Sequence, residues 1–359
     1  MNLVDLFSGC GGFSLGARQA GFRVVSAYDN DRILSSSYSL NFPESNLHLK
    51  NIAKLSGAEV RREARQSIDG IFGGPPCQGF SDIGKREPRD PRRQLLGHFF
   101  RIVNEVEPTF FVMENVRGLA YADARVVLDR ALRRVSDRYA ILGPQIWEAS
   151  DFGAATKRPR LFVIGVHKDR GDAIEARDIE ALKCPAPTVK AAIADLAGAE
   201  DLGEIDGFDT WRITHPGRPS DYARMLRAAD GRFTGQKSTA HTPTVIKRFS
   251  KVHPGSTDVV GRHPRLSWDG LCPTLRAGTG ADRGSYQSVR PIHPEENRVI
   301  TVREAARLQG FPDAHRFHPT VWHSFRMIGN SVSPFMAKAI FSAIQKKLGV
   351  AQGHSIAAE

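Results

Sequence analysis

Zinc-ligand spacing is missing from this sequence: none of the four cysteines, Cys10, Cys77, Cys184 and Cys272, falls in a Cys-x-x-Cys pair. A structural zinc centre is therefore not expected. The wide spacing of the cysteines, with no recognisable secretory leader, sets the expectation of a reduced cytoplasmic protein. No apolar run reaches the roughly 20 residues of a membrane helix, so no membrane partner is expected. Internal repeats and long low-complexity segments are also missing, which leaves an ordinary globular chain.

Acidic charge is in short supply. Against 50 Lys and Arg stand 39 Asp and Glu, a net charge of +11. Such a surplus points to a polyanionic partner, nucleic acid before membrane. Its distribution supports that reading: eight basic residues, among them Lys247, Arg248 and Arg276, face two acidic ones between Arg232 and Arg276. With 359 residues, 41% of them hydrophobic, the chain can bury a sizeable core in two domains.

Function is most legible in Gly73-Gly74-Pro75-Pro76-Cys77-Gln78-Gly79-Phe80-Ser81. The apolar run from Ile68 to Phe72 reads as a strand, stopped by two glycines and two prolines in a rigid bend. A structural cysteine would sit inside the apolar run. One at the tip of the bend is presented, as a thiolate nucleophile must be. A tight turn with an incidental cysteine is the alternative.

Upstream, the apolar run Asn2 to Phe7 reads as a buried parallel strand. It enters Ser8-Gly9-Cys10-Gly11-Gly12 and then a helix to about Ala20, the opening of a Rossmann-like nucleotide-binding unit. A second strand, Phe22 to Tyr28, ends at Asp29, a carboxylate placed either to bind ribose hydroxyls or to cap the next helix. Asn51-Ile52 follows a third strand. Ser81 to Arg93 is a polar, basic loop of functional length. Gln94 to Val106 reads as a helix and Thr109 to Met113 as a strand ending in Glu114-Asn115-Val116. Glu114 is then either a ligand-binding acid beside Cys77 at the carboxyl ends of the strands or a helix cap. Two strands, Ile141 to Ala149 and Arg160 to His167, flank a segment holding Arg158 and Arg160, which in extended chain share one face. From Arg170 to Asn297 short elements rich in Gly, Pro, Arg and His suggest a second domain. The chain is ordered again from Thr301, and Gly329 to Pro334 caps a helix reaching about Leu348.

Together these residues resemble the DNA cytosine-5 methyltransferases of prokaryotes and phages, with six motifs in the family's order. Asp5-Leu6-Phe7-Ser8-Gly9-Cys10-Gly11-Gly12 is similar to its S-adenosylmethionine loop, Pro75-Pro76-Cys77-Gln78 to its catalytic loop, and Glu114-Asn115-Val116 to its ENV motif. Arg158-Pro159-Arg160 is similar to the end of Gln-x-Arg-x-Arg. Arg303 to Pro312 and Gly329-Asn330-Ser331-Val332 resemble its last two motifs. Three residues depart from the pattern: Thr156 for Gln, Asn51 for the acid that meets the adenine, and Asn30 for an aromatic residue. They bear on cofactor affinity more than on chemistry.

The resemblance implies an α/β, Rossmann-like S-adenosylmethionine-dependent methyltransferase domain, a mostly parallel sheet with helices on both faces, plus a smaller irregular target-recognition domain. The expected boundaries are 1–170 for catalysis, 171–299 for recognition, 300–327 for a hinge and 328–359 for a returning helix. The chain begins almost at the first motif, which implies that it lacks regulatory extensions. S-adenosyl-L-methionine would lie against Phe7, Ser8, Gly9, Cys10, Gly11, Gly12, Asp29, Asn30, Asn51, Ile52, Pro75, Leu95, Asn330, Ser331 and Val332, with no metal. Chemistry would rest on Cys77, Glu114, Arg158 and Arg160. Double-stranded DNA would meet Gln78, Ser81, Lys85, Arg86, Arg92, Lys247 and Arg248, and Arg276 and Arg283 in the glycine-rich loop would read bases. The protein would act as a monomer, with a restriction endonuclease of the same site as a further partner. A transfer-RNA methyltransferase is the alternative, but the Cys-Phe-Thr signature of that lineage is missing.

Overall fold

The computed structural model describes residues 1–76, 93–214, 217–278 and 289–349. The chain divides into two units. One comprises Met1–Glu148, Pro159–Lys183 and the segment from Pro334 onward; the other comprises Ala149–Arg158 and Cys184–Ser333.

The first unit is built on a seven-stranded sheet of order β3-β2-β1-β4-β5-β7-β6. Strands β1 (Asn2–Leu6), β2 (Arg23–Asp29), β3 (Asn46–Leu49), β4 (Gly70–Gly73) and β5 (Phe110–Val116) run parallel. Strand β7 (Pro159–His167) is antiparallel to both β5 and β6 (Tyr139–Glu148). The central strands are apolar on both faces because helices cover both. Alternation along β5 shows this: the Phe111 ring meets Phe99 and Phe100, while its neighbour Phe110 meets Phe22. On the Phe111 side lie residues of α3 (Gly57–Ala64), α4 (Arg93–Val106) and α5 (Ala122–Leu132). On the other side Phe13 of α1 (Gly12–Gln19) and Phe341 of α12 (Pro334–Lys347) close on Phe72. The short helices α2 (Tyr38–Asn41) and α6 (Ala176–Glu180) complete the unit. Strand order reverses between β1 and β4, and the carboxyl ends at such a switch point are where open α/β sheets take ligands.

The second unit carries a three-stranded antiparallel sheet of β8 (Glu200–Ile205), β9 (Phe208–Arg212) and β10 (Arg232–Thr234). With it come helices α7 (Val189–Ile193), α8 (Asp221–Leu226), α9 (Pro243–Phe249), α10 (Val302–Gln309) and α11 (Val321–Asn330). Residues 300–327 thus hold α10 and most of α11. One apolar cluster here is small, centred on Phe249, Ile292 and Val299. Buried arginines do much of the organising. Arg265 donates to the carbonyls of Phe249 and His293, at 2.8 and 3.0 Å, and Arg303 to those of Thr234, Pro312 and His315. An irregular chain leaves many carbonyls without ladder partners, and a guanidinium has five donors to offer them. Arg265 is 5% exposed, so part of the basic surplus read as a nucleic-acid face is internal.

Helices α1 and α12 touch through Gly16, where a Cβ would stand 2.6 Å from the Lys338 nitrogen and 2.7 Å from the Pro334 oxygen. Gly16→Ala is expected to cost about 1–3 kcal/mol through overpacking. The check is the urea unfolding midpoint followed by circular dichroism, and an unchanged midpoint would show that the helices can part freely.

Candidate active site

The turn from β1 into α1 uses backbone conformations that most residues avoid. Phe7, Gly9 and Gly11 have φ of 69°, 51° and 86°. Gly11 has a second constraint, since a Cβ would lie 2.9 Å from a ring carbon of Phe42. The Phe7 and Ser8 amides donate to the Tyr28 carbonyl at 2.8 and 3.1 Å, and the Gly9 amide to Asp29 Oδ2 at 2.8 Å. Asp29 Oδ1 accepts from the Asp31 amide at 2.8 Å. Capping of the chain that follows falls to Asp31, whose Oδ1 accepts from Ile33 and Leu34. Asp29 is thus the acid that ties β2 to the glycine turn. Burial pushes its carboxyl up, and the amides of Asp31 and Gly9 pull it back.

The residues present fit the ribose of a nucleoside-bearing ligand. Apart from its own chain neighbours, no described residue has an atom within 4 Å of where a Gly9 Cβ would be, so the turn is open at that point. The Ser8 hydroxyl is buried and without a hydrogen-bond partner among the described residues. Asp29, with lone pairs left on both oxygens, suits ribose hydroxyls. Asn51 Oδ1 accepts from Ala53 at 2.9 Å and caps the turn Ile52–Lys54, which leaves that oxygen one further lone pair. Ile52, Cys10 and Pro75 are buried, Leu95 is half-buried and Asn30 exposed. Asn330, Ser331 and Val332 belong to the second unit.

The acid and the arginine meet as pairing of β4 with β5 and of β5 with β7 dictates. Gly73 lies opposite Met113, which brings the bend after β4 beside Glu114. A Cβ on Gly74 would stand 2.8 Å from Glu114 Oε2, and Asn115 Nδ2 donates to the Pro75 carbonyl at 3.0 Å. Across the antiparallel pair, Glu114 opposes Phe162 and Arg160 opposes Val116, so the two charges are diagonal neighbours. Arg160 Nε and Glu114 Oε1 are 2.9 Å apart, with 9% and 7% of the two residues exposed. Cys77, Gln78, Ser81, Lys85, Arg86, Arg92 and Arg283 lie outside the described residues.

Arg158 does not join this pair. It belongs to the second unit, fully buried, with Nη1 donating to the Leu275 carbonyl and Nη2 to that of Gly329. The two-residue alternation holds inside a strand, and β7 begins only at Pro159. Arg248 is also committed elsewhere, 3.1 Å from Asp258, which is 1% exposed. Lys247 on the same helix is exposed, as is Arg276. A cavity of about 430 Å³ in the second unit is lined by Trp211, Trp268, Glu296, Arg298 and Glu304 among others. Three of its charges pair, Arg298 with Glu296 and Glu304 at 2.8 Å, and it includes none of the residues expected at the site.

Sequence reasoning missed one buried chain of polar groups beneath the turn. Ser14 Oγ donates to Asp5 Oδ2 at 2.5 Å and lies 2.8 Å from the Tyr38 hydroxyl. The only signal was an acid inside an otherwise apolar strand. Burial pushes the Asp5 carboxyl up to about 8, against the Ser14 hydrogen bond and with the Asp29 charge adding to it.

The family model for C-5 cytosine-specific DNA methylases matches residues 1–346. The type II methyltransferase M.XorII of Xanthomonas oryzae pv. oryzae is 40% identical over 368 residues, spanning 96% of this chain and 84% of that protein. M.DdeI of Desulfomicrobium norvegicum is 30% identical, spanning 96% and 88%. Among solved structures, a DNA modification methyltransferase encoded within an E. coli prophage superposes with a TM-score of 0.84 at 38% identity, covering 97% of this chain and 99% of that one. The S. pombe Dnmt2 methyltransferase, 18% identical with a TM-score of 0.64 over 97% of this chain and 99% of that one, shares the fold.

Asp5 keeps its proton in the fold over a range in which an unfolded aspartate, with a pKa of about 4, has lost it. The native state therefore binds the extra proton between about pH 4 and 8, and stability falls as pH rises through that window. Asp5→Asn keeps the shape without the titration. Urea unfolding from pH 5 to 8 should show a shallower decline in the variant, and an identical decline would place its source elsewhere.

Proposed function

Because the chain belongs to the C-5 cytosine-specific DNA methylase family, we propose that Cys77, Glu114 and Arg160 carry its chemistry, on a base turned out of the duplex. The enzyme methylates carbon 5 of cytosine in DNA. The observation that supports the residue assignment is the buried Glu114–Arg160 pair beside the Gly74 bend that leads to Cys77.

S-adenosyl-L-methionine, the donor that methyltransferase chemistry of this kind draws on, supplies a methyl group made electrophilic by its sulfonium sulfur. The β1–α1 turn and Asp29 would hold it. Carbon 5 of cytosine is a poor nucleophile. The Cys77 thiolate adds to carbon 6, forming a carbon–sulfur bond and shifting ring electrons toward carbon 5 and N3. Glu114, at N3 and the exocyclic amine, shares a proton that neutralises the developing charge, and Arg160 binds O2. Once carbon 5 carries the methyl group, its proton passes to water, the electron pair of that carbon–hydrogen bond restores the 5,6 double bond, and the carbon–sulfur bond breaks to release the Cys77 thiolate. Carbons 5 and 6 are out of reach in a stacked duplex, so the base leaves the stack at a cost of a few kcal/mol.

The second unit then supplies DNA contacts, through Lys247 to phosphates and Arg276 to base edges. A restriction endonuclease of the same site is the partner that the type II relatives suggest. The transfer-RNA reading is set aside, because the family model and the prophage enzyme are both described by DNA.

Bisulfite sequencing of plasmid from cells expressing the protein should find protected cytosine in one recurring sequence; full conversion would overturn the reading. Cys77→Ser should abolish methyl transfer, and Glu114→Gln should slow it by about 10²–10⁴-fold, with donor binding by calorimetry little changed in both. Substantial transfer by the Cys77 variant would remove it from the nucleophile role.

Lys247→Ala should weaken binding to all duplexes alike and reduce the salt slope by about 0.9. Arg248→Ala should instead lower the melting temperature, because buried Asp258 keeps the Gly261 amide but loses its charged partner. A salt slope changed by Arg248→Ala and not by Lys247→Ala would reverse the assignment.

A further inference from the structure

We propose that Arg158 is a positioning residue that fastens the 273–276 segment to the chain leading into the strand of Arg160, so that a poor fit of that segment to DNA is passed along the chain to Arg160 and slows transfer. The inference rests on the reading of that segment as carrying base contacts through Arg276.

The lock is a short ladder inside the second unit. The Cys272 amide donates to the Ala155 carbonyl at 2.9 Å, and the Lys157 amide to the Cys272 carbonyl at 2.8 Å. Thr156 Oγ1 adds a bond to Cys272 O at 3.1 Å, and Thr274 Oγ1 one to Lys157 O at 2.6 Å. Arg158 extends the ladder by one rung, Nη1 to Leu275 O at 3.1 Å, next to Arg276. Its Nη2 reaches Gly329 O at 2.7 Å and brings in the end of α11. Gly329 in turn lies flat against this backbone: a Cβ there would be 2.5 Å from the Arg276 carbonyl carbon and 2.7 Å from Ala277 Cα. A fully buried guanidinium with charge-assisted bonds to two carbonyls resists displacement of either segment. Two residues along the chain, Arg160 enters β7 and pairs with Glu114. Thr156 takes part in this ladder through its hydroxyl, at the position where the resemblance leads one to expect glutamine. A shift of about 1 Å in a substrate-positioning group can cost on the order of 10²-fold in rate, so the ladder bears directly on transfer.

The test measures kcat/KM on a duplex carrying the site defined by bisulfite sequencing and on its single-base-pair variants, with donor affinity measured alongside. Arg158→Gln should lower the ratio of target to variant rates by about tenfold or more and leave donor affinity unchanged. Arg158→Lys, able to reach one acceptor, should fall between. Gly329→Ala, pressing on the same backbone from the other side, should reproduce the loss of selectivity. Adding Arg276→Ala to Arg158→Gln should cost little beyond either change alone. Equal losses on all duplexes, or additive effects in that double variant, would overturn the coupling. Should Arg158→Gln fail to give a cooperative melting transition, Gly329→Ala and Thr274→Val decide the matter by the same ratio. If Arg276→Ala itself leaves selectivity unchanged, the base-reading assignment fails and the coupling with it. If Arg276→Ala changes selectivity and neither Arg158 nor Gly329 variants do, the coupling alone is removed.

Discussion

Two opposite charges withdrawn from water, Glu114 and Arg160, set the terms for the first unit. A buried pair with one partner missing costs about 3–5 kcal/mol, so each residue needs the other held in place. Three strands meet that requirement. Strand β5 carries the acid, β7 returns antiparallel with the arginine on the diagonal, and β4 delivers a glycine where any larger side chain would strike the carboxylate. The bend that leads to Cys77 therefore runs past the acid as a consequence of sheet register.

At the other strands the backbone is the working material. The left-handed φ values at Phe7, Gly9 and Gly11 turn the chain sharply enough for Asp29 to accept from the Gly9 amide. Strain of this kind persists where the surroundings over-determine it. Here the Tyr28 carbonyl takes two amides, and Phe42 closes against Gly11. Asp5 and Ser14 sit beneath the turn as a neutral hydrogen-bonded support, cheaper to bury than a charge.

The second unit relies on a different device. Arg158, Arg265, Arg303 and Arg307 are buried, and each gathers carbonyls or carboxylates from segments distant in sequence, Arg307 reaching Asp195. A unit with short helices and one small sheet has few ladders to satisfy its backbone, and these side chains stand in for them. The basic composition of the chain is thus shared between an exterior suited to DNA and an interior that needs donors.

By itself, the sequence determined the element types of the first unit, the glycine turn, the acid at the end of β2 and the likeness to cytosine-5 methyltransferases. Those features are local: apolar runs, punctuation by glycine and proline, and motif order depend on neighbours a few residues away. Tertiary structure alone decided the partners. Arg158 and Arg160 look equivalent in the sequence, yet one binds carbonyls of Leu275 and Gly329 and the other pairs with Glu114. Arg248 and Lys247 are adjacent, yet one neutralises buried Asp258 while the other faces solvent. A guanidinium bonds whatever the fold brings within about 3 Å, and groups more than a hundred residues apart in sequence approach that closely only after the chain has closed.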